Sequence, residues 1–279
     1  MTNLVLVTGA TGFVGRQVLS ELSASGARVK VVIREGSESR LAFLNAIDSI
    51  VTSEDIFAED VDWWADVCKN VDTVIHCAWY AEPGKYLQSE KNFDCLIGTI
   101  SIARGAVAAK VRRFIGIGTC FEYDLTPGIL SIETPLRPLT PYAGAKAAAF
   151  MALSQYLPMQ GMEFVWCRLF YLYGQGEDER RLVPYLRKNL SIGQPVELTS
   201  GAQIRDFMNV VDAGRAIVKF ATGRLLGPVN ICSGIAISVR SLAENIADEY
   251  GRRDLLQFGV RPDNLVDPAY VVGVRNDID

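Results

Sequence analysis

The stretch that most constrains the fold of this chain is VTGATGFVG, at residues 7–15. It follows an apolar run, NLVLV, and opens FVGRQVLSELSAS, in which apolar residues recur at a helical period. Glycines at this spacing allow a tight turn from a buried strand into a helix, whose N-terminal N–H groups can bind a pyrophosphate. An ordinary glycine-rich turn is the alternative. The pattern predicts a dinucleotide site that includes Gly9, Thr11, Gly12, Phe13, Val14 and Gly15.

Short β-rich runs alternate with helical stretches along the first part of the chain. Further strands are predicted at residues 27–34, 71–78, 112–119 and 163–169, and helices at about 61–69, 88–110 and 141–160. Near-continuous apolar strands separated by helices indicate a parallel sheet that is covered on both faces. We therefore expect an α/β fold with a Rossmann-type, doubly wound parallel sheet.

The rhythm changes after residue 169. Helical segments near 179–192, 210–222 and 238–250 are surrounded by short strands and turns. We expect a dinucleotide-binding domain at residues 1–166 and a smaller, mixed substrate lobe at residues 167–279. In an alternative division, a strand and a helix near 204–222 belong to the first domain.

The composition excludes several classes of function. The net charge of −4 argues against a nucleic-acid surface, which needs a basic face. The six cysteines form no CxxC pair and several lie in apolar runs, as expected of reduced, buried thiols in a cytoplasmic protein. No stretch approaches the roughly 20 apolar residues of a membrane span, and no signal peptide is expected. The single histidine, His76, excludes a His-rich metal site; it lies in an apolar strand and is expected to be a core residue, so no metal is predicted.

The end of the second strand bears on the choice of cofactor. An acid near this point would bind the ribose 2′-hydroxyl of NAD. The strand ends instead in Arg34, and Ser37 and Arg40 follow closely. Because a cation suits a 2′-phosphate, we expect NADP(H) to be favoured over NAD(H). In the alternative, Arg34 is a solvated strand end and Glu35 takes the role of the acid.

Thr119, Tyr142 and Lys146 form the candidate catalytic group. Thr119 ends a strand, and the carboxyl ends of strands border the ligand crevice of a doubly wound sheet. Tyr142 and Lys146 are four residues apart at the start of a predicted helix, so their side chains share one face. A lysine ammonium about 4 Å from a phenol, at an effective dielectric of about 20, lowers the phenol pKa by up to about three units. We expect Tyr142 to be a general acid/base with a pKa near neutrality; an incidental surface pair is the alternative.

These segments together resemble the extended short-chain dehydrogenase/reductase family of NAD(P)-dependent nucleotide-sugar epimerases and dehydratases. The resemblance rests on TGATGFVG, DTVIHCAW, RRFIGIGT, PYAGAK, CRLFYLYGQGE, LVPYL and GAQIRDFMNVVDAGRAI. It implies a catalytic triad at 119, 142 and 146, a nucleotide-diphosphate sugar substrate, and a homodimer through the helices at 88–110 and 141–160.

The resemblance also implies further site residues. It implies that Asp55 and Ile56 border the adenine and that Cys77, Ala78 and Trp79 line the ribose side. The expected cofactor set is completed by Tyr142, Lys146 and Phe170. Arg205 and Arg261 would bind the diphosphate of the sugar nucleotide. Further substrate candidates are Tyr80, Cys120, Glu122, Tyr171 and Arg181. The alternatives are that Glu122 is a buried carboxylate satisfied by backbone N–H groups, that Cys120 is a structural thiol, and that the aromatic residues pack between the lobes.

Departures from the family pattern narrow the expected reaction. The 4,6-dehydratases follow the catalytic threonine with Asp-Glu, whereas Thr119 is followed by Cys120 and Phe121. The epimerase-reductases have a histidine in the second lobe, and this chain has none there. We expect reduction of the C4 ketone of a CDP- or dTDP-linked 4-keto-6-deoxyhexose by NAD(P)H. A nucleotide-sugar 4-epimerase with tightly bound NAD is the alternative, and a regulator that senses NADP(H) without catalysis is a more distant one.

Overall fold

The computed structural model describes residues 3–41, 47–264 and 267–276. Its helices, in chain order, are α1 (Phe13–Ala24), α2 (Val61–Val67), α3 (Lys91–Ala108), α4 (Pro141–Met159), α5 (Leu182–Ser191), α6 (Val210–Thr222) and α7 (Val239–Glu249). Its strands are β1 (Leu4–Thr8), β2 (Arg28–Arg34), β3 (Ile47–Ser53), β4 (Thr73–His76), β5 (Arg113–Thr119), β6 (Ile129–Leu130), β7 (Glu163–Leu169), β8 (Tyr171–Tyr173), β9 (Val196–Glu197), β10 (Ile204–Asn209), β11 (Gly227–Ile231), β12 (Ala236–Ser238), β13 (Leu256–Gln257) and β14 (Tyr270–Gly273).

The main sheet confirms the predicted α/β, Rossmann-type fold. Its strands are parallel, and across the described residues they number seven in the order β3-β2-β1-β4-β5-β7-β11. The strand order reverses between β1 and β4, so a crevice opens there at the carboxyl ends of the strands. The glycine turn follows β1 and therefore lies at this crevice.

Helices cover both faces of the main sheet. On one face α1 and α6 pack together, and Leu19, Ile217 and Phe220 join the strand residues in a buried cluster. On the other face α2, α3 and α4 bury Trp64, Ile102 and other apolar side chains against the strands. The near-continuous apolar strands are explained by this double coverage, because both of their faces are removed from water.

Two strands of the main sheet differ from the sequence expectation. The edge strand β3 was not predicted, because IDSIVTS alternates poorly and most of its side chains are partly or fully exposed. The opposite edge, β11, comes from the segment expected in the second lobe and pairs with β7. The expected domain boundary at residue 166 falls inside β7. Of the strand and helix near 204–222, the helix α6 packs on α1 of the first domain, whereas the strand β10 belongs to a second sheet.

The second sheet and a small helical cluster lie beyond the main sheet. In the second sheet β10 pairs with β8, β12 and β14, and β14 pairs with β6. Helices α5 and α7 pack with the short β9–β13 pair in a separate apolar cluster. No helix within residues 3–41, 47–264 and 267–276 is long and apolar enough to cross a membrane.

Candidate active site

The glycine turn has a geometry that only glycine satisfies at two positions. Gly9 has a φ of +68°, and a Cβ there would lie 2.6 Å from the backbone nitrogen of Ala78. A Cβ on Gly15 would overlap the carbonyl oxygen of Gly9, so the first turn of α1 can pack directly on the loop only if residue 15 is glycine. Gly12 caps α1 without a side-chain acceptor. The first N–H groups of the helix therefore face the crevice, as anion binding requires.

A cavity of about 440 Å³ lies in front of this turn. Many of the predicted cofactor residues line it, namely Gly9, Thr11, Gly12, Arg34, Asp55, Ile56, Cys77, Ala78 and Trp79. Phe13, Val14 and Gly15 form the first turn of α1 behind the loop. The sequence analysis did not assign Glu54, Phe57, Lys91, Asp94 and Cys95, which complete the lining with Ser37 and Arg40. They come from the β3–α2 connection and α3, whose pattern carries no binding signal.

Two assignments differ from the sequence expectation. Tyr80, expected at the substrate, lines the same cavity, where its hydroxyl donates to Glu82 at 2.9 Å and Lys91 Nζ lies 4.9 Å from its ring centroid. Phe170, expected at the cofactor, is buried in a cluster with Cys120, Cys232 and other apolar residues. Leu130 and Val271, which belong to strands of the second sheet, are members of the same cluster.

The three candidate catalytic residues converge at Trp79. Thr119 ends β5, and its side chain interacts with the Tyr142 phenol. Tyr142 lies in the first turn of α4, which begins at Pro141 after the Thr140 cap. The Tyr142 ring centroid is 6.4 Å from that of Trp79, and Lys146 Nζ is 3.7 Å from the same indole. Because Trp79 lines the cofactor cavity, the group lies next to that cavity.

Burial dominates the protonation of this group. Burial raises the pKa of Tyr142 well above its ordinary value, Tyr86 raises it further, and the Thr119 side chain lowers it. Burial lowers the pKa of Lys146 to about 7, opposed by the Glu122 carboxylate. The Lys146 ammonium donates a hydrogen bond to the carbonyl oxygen of Ile117. In this structure the pKa of Tyr142 is therefore shifted upward and not toward neutrality, because burial of the phenol is the largest influence on it.

Two aromatic side chains lie against Tyr142, and the sequence analysis assigned Trp79 but not Tyr86. The Tyr86 ring centroid is 4.8 Å from that of Tyr142, and the two rings meet edge to face. The indole N–H of Trp79 donates to Asn92 Oδ1 at 2.9 Å, and Asn92 donates in turn to the carbonyl oxygens of Tyr86 and Ser89. Asn92 thus links the Trp79 side chain to the backbone at Tyr86. Tyr86 and Asn92 do not stand out in GKYLQSEKNF, because the segment has no periodic pattern.

Glu122 matches the buried alternative. Its side chain is fully buried and accepts hydrogen bonds from the Thr119 N–H, the Trp166 indole and Arg168 Nε. Every one of these partners belongs to the protein, so the carboxylate is occupied. His76 is also a satisfied core residue, as expected: its ring nitrogens meet Thr8 Oγ1 and Thr99 Oγ1, and burial lowers its pKa to about 3.

The remaining substrate candidates occupy three places. The Arg181 guanidinium is 5.6 Å from the Tyr86 ring centroid, close to the catalytic group. Arg205 is buried, donates to Asp267 at 2.6 Å and lies 5.2 Å from the Tyr171 ring centroid. The Tyr171 hydroxyl is buried with no hydrogen-bond partner among the described residues. Arg261 is exposed on the α5 side, where it donates to the Tyr185 hydroxyl at 3.0 Å.

Comparison with known proteins places this site in a family. Residues 5–232 match the model of the NAD dependent epimerase/dehydratase family. The chain belongs to this family. The matched range of the epimerase/dehydratase family holds the glycine turn, Thr119, Tyr142, Lys146 and Arg205, whereas Arg261 lies beyond it.

Two curated relatives and one solved structure are similar to this chain over most of its length. The chain is 24% identical to the dTDP-6-deoxy-L-talose 4-dehydrogenase (NAD(+)) of Aggregatibacter actinomycetemcomitans, over 97% of this chain and 99% of the relative. It is 27% identical to the UDP-glucose 4-epimerase of Mycolicibacterium smegmatis, over 91% and 84%. A solved structure of MoeE5 in complex with UDP-glucose and NAD is 29% identical, with a TM-score of 0.80 over 98% of this chain and 90% of that one.

Proposed function

We propose that the protein reduces the C4 ketone of a nucleotide-linked 4-keto-6-deoxyhexose, with CDP or dTDP as the nucleotide, using NAD(P)H. The similar dTDP-6-deoxy-L-talose 4-dehydrogenase is named for the interconversion of an alcohol and a ketone at C4 of a dTDP-linked sugar. The similar MoeE5 was solved in complex with UDP-glucose and NAD. The observation that carries the proposal is that Tyr142 and Lys146 both lie against Trp79, which lines the cofactor cavity, with Thr119 next to Tyr142.

The residues of the cavity fit a dinucleotide. A pyrophosphate can approach the loop only because Gly9 and Gly12 carry no side chain, and the N-terminus of α1 supplies the N–H groups. Asp55 and Ile56 would border the adenine, and Cys77, Ala78 and Trp79 the nicotinamide ribose. When bound, the nicotinamide ring supplies the hydride that reduces the carbonyl carbon.

Tyr142 can supply the proton for this reduction. Its phenol is protonated at neutral pH, so it can donate its proton to the ketone oxygen as hydride adds to the carbon. The ketone becomes a secondary alcohol and the phenolate is left beside the Thr119 hydroxyl. Lys146 would then stabilise the phenolate by its charge.

A substrate panel tests this proposal. We expect the purified protein to oxidise NADPH or NADH in the presence of a CDP- or dTDP-linked 4-keto-6-deoxyhexose, with GDP and UDP analogues as comparison substrates. Epimerisation of a nucleotide sugar without net cofactor oxidation would support the 4-epimerase, which the similarity to a UDP-glucose 4-epimerase favours. Cofactor binding without any affinity for nucleotide sugars would support the regulator.

The cofactor preference depends on the cations at the end of β2. Arg34 and Arg40 line the cavity, and we propose that they bind a 2′-phosphate and favour NADP(H) over NAD(H). Replacing both by alanine should weaken NADPH binding about 10-fold or more, since a hydrogen bond to a charged group contributes about 1.5–3 kcal/mol. Arg28→Ala, at the other end of the same strand, is the matched control. Equal loss of NADPH and NADH affinity, measured by fluorescence titration, would contradict the preference.

We also propose a homodimer through α3 and α4. Phe93 and Ile97, which share one face of α3, and Met151 of α4 are 57%, 62% and 61% exposed, so both helices present large apolar side chains to solvent. Ile97→Glu should convert the dimer to a monomer in light scattering after gel filtration. Ile192→Glu, at a residue that is 64% exposed outside these helices, should leave the dimer intact. A wild-type monomer at micromolar concentration would refute this arrangement.

A further inference from the structure

The Glu122 carboxylate is the most completely bonded charged group near the catalytic residues. Its Oε1 accepts the Thr119 N–H at 2.8 Å and the Trp166 indole N–H at 3.0 Å, and its Oε2 accepts from Arg168 Nε at 2.7 Å. A buried carboxylate is tolerated only when it is paired and hydrogen-bonded, and Glu122 meets both conditions. One of its partners is the backbone of the candidate catalytic threonine.

The local backbone conformation brings the Glu122 carboxylate to the N–H of Thr119, three residues earlier in the chain. Thr119 and Glu122 form a reciprocal cap on the 3-10 turn Cys120–Glu122: the Thr119 hydroxyl accepts the Phe121 N–H at 3.3 Å, and Glu122 accepts the Thr119 N–H. A Cβ on Gly118 would overlap both Glu122 Oε1 and Trp166 Nε1. The second glycine of GIGT is therefore explained by the space that the carboxylate and the indole occupy.

We propose that Glu122 is a positioning residue for the reaction, which holds the Thr119 backbone so that the threonine hydroxyl faces the Tyr142 phenol. The Thr119 hydroxyl is fixed by the Phe121 N–H, and the Thr119 side chain is near enough to the Tyr142 phenol to lower its pKa. If the backbone at Thr119 rotates, the hydroxyl leaves the point where it meets the substrate oxygen. A misplacement on the order of 1 Å can lower an enzymatic rate about 10²-fold.

The same network offers a control that leaves Thr119 untouched. On its far side Arg168 Nη1 donates to the Tyr123 hydroxyl at 2.9 Å, and that hydroxyl donates to Asn230 Oδ1 at 2.7 Å. Asn230 donates in turn to the carbonyl oxygens of Leu130 and Val274, next to the second sheet. Tyr123→Phe therefore weakens the buried network, and with it stability, without removing any contact of Thr119.

The inference rests on the proposed reduction, so its test includes a measurement that needs no substrate. The Thr119 amide proton is followed by NMR hydrogen exchange in the wild type, Glu122→Asp, Glu122→Gln and Tyr123→Phe, beside kcat, KM and the Kd of the reduced cofactor. Glu122→Asp keeps the charge that neutralises Arg168, but its shorter side chain cannot reach the Thr119 N–H. Glu122→Gln keeps the length and removes the charge.

In the wild type we expect a protected Thr119 amide. In Glu122→Asp we expect faster exchange of that amide and a fall in kcat of about 10- to 100-fold, with a cofactor Kd within about 3-fold of wild type. Glu122→Gln should retain more of the amide protection and more of kcat than Glu122→Asp. Tyr123→Phe should keep the protected Thr119 amide and the wild-type kcat. An unprotected Thr119 amide in the wild type, or equal kcat for Glu122→Asp and Tyr123→Phe, would overturn the role. Absence of turnover in the wild type would refute the proposed function instead, because the amide measurement would still report on Glu122.

Discussion

Tyr142→Phe is expected to lower kcat by about 10²- to 10⁴-fold, the range that a general acid contributes. The Tyr142 phenol lies next to Thr119, and phenylalanine keeps the ring packed against Tyr86 while removing the hydroxyl that is the proposed proton donor. Because Tyr142 contributes no N–H or charge to the glycine turn, the Kd of the cofactor should stay within about 3-fold of wild type. Steady-state kinetics with the best nucleotide sugar measures kcat, and fluorescence titration measures the Kd of the cofactor.

Tyr86→Phe is the matched control for this prediction. It removes a phenolic hydroxyl from the neighbouring ring at 4.8 Å without touching the proposed acid, so kcat should change by less than about 10-fold. If Tyr142→Phe turns over like the wild type, Tyr142 is not the acid. If Tyr86→Phe loses as much activity as Tyr142→Phe, the two tyrosines would have exchanged roles.

Arg168→Met is expected to lower the free energy of unfolding by about 3–5 kcal/mol, the usual consequence of removing one partner of a buried ion pair. Arg168 is 1% exposed and Glu122 is fully buried, so the variant leaves a carboxylate that neither water nor a cation can stabilise. The guanidinium also packs over the Tyr123 and Phe150 rings, at 4.6 and 4.3 Å from their centroids. A fall in Tm of about 10 °C, measured by calorimetry, corresponds to this loss.

A double variant separates the lost charge from the lost packing. In Glu122→Gln/Arg168→Met no buried charge is left over, and the glutamine oxygen can still accept the Thr119 and Trp166 N–H groups. The double variant should therefore unfold at a higher temperature than Arg168→Met alone. A wild-type Tm for Arg168→Met, or additive losses in the double variant, would show that the pair is not the buried ion pair described.

The fold was predictable from the sequence wherever a strand is buried on both faces. Runs such as LVLVT and RFIGIGT consist of residues that lie against helices on either side, and this double coverage produces their continuous apolar pattern. The edge strand β3 escaped prediction because only its last residue is fully buried. The sequence GPVNI did not predict that β11 pairs with β7 at the edge of the main sheet. This pairing depends on where the preceding helix α6 packs and not on the composition of the strand.

The candidate site was predictable where backbone geometry dictates residue type. Gly9 and Gly15 stand where a side chain would overlap the loop, and Thr119 ends a strand at the crevice. The direction of the Tyr142 pKa was not predictable, because the spacing to Lys146 says nothing about how much water reaches the phenol. Tyr86 also required the structure, since it reaches Tyr142 from a short 3-10 turn without a sequence pattern.

The most direct measurement of the central claim follows a deuterium label. The wild type is incubated with cofactor that carries deuterium at C4 of the reduced nicotinamide ring and with a dTDP- or CDP-linked 4-keto-6-deoxyhexose, and the product is analysed by mass spectrometry and NMR. The account predicts one deuterium on C4 of the sugar for each labelled hydride transferred, and transfer that is about 10²- to 10⁴-fold slower in Tyr142→Phe. Inversion at C4 of a nucleotide sugar with no net oxidation of cofactor would contradict it.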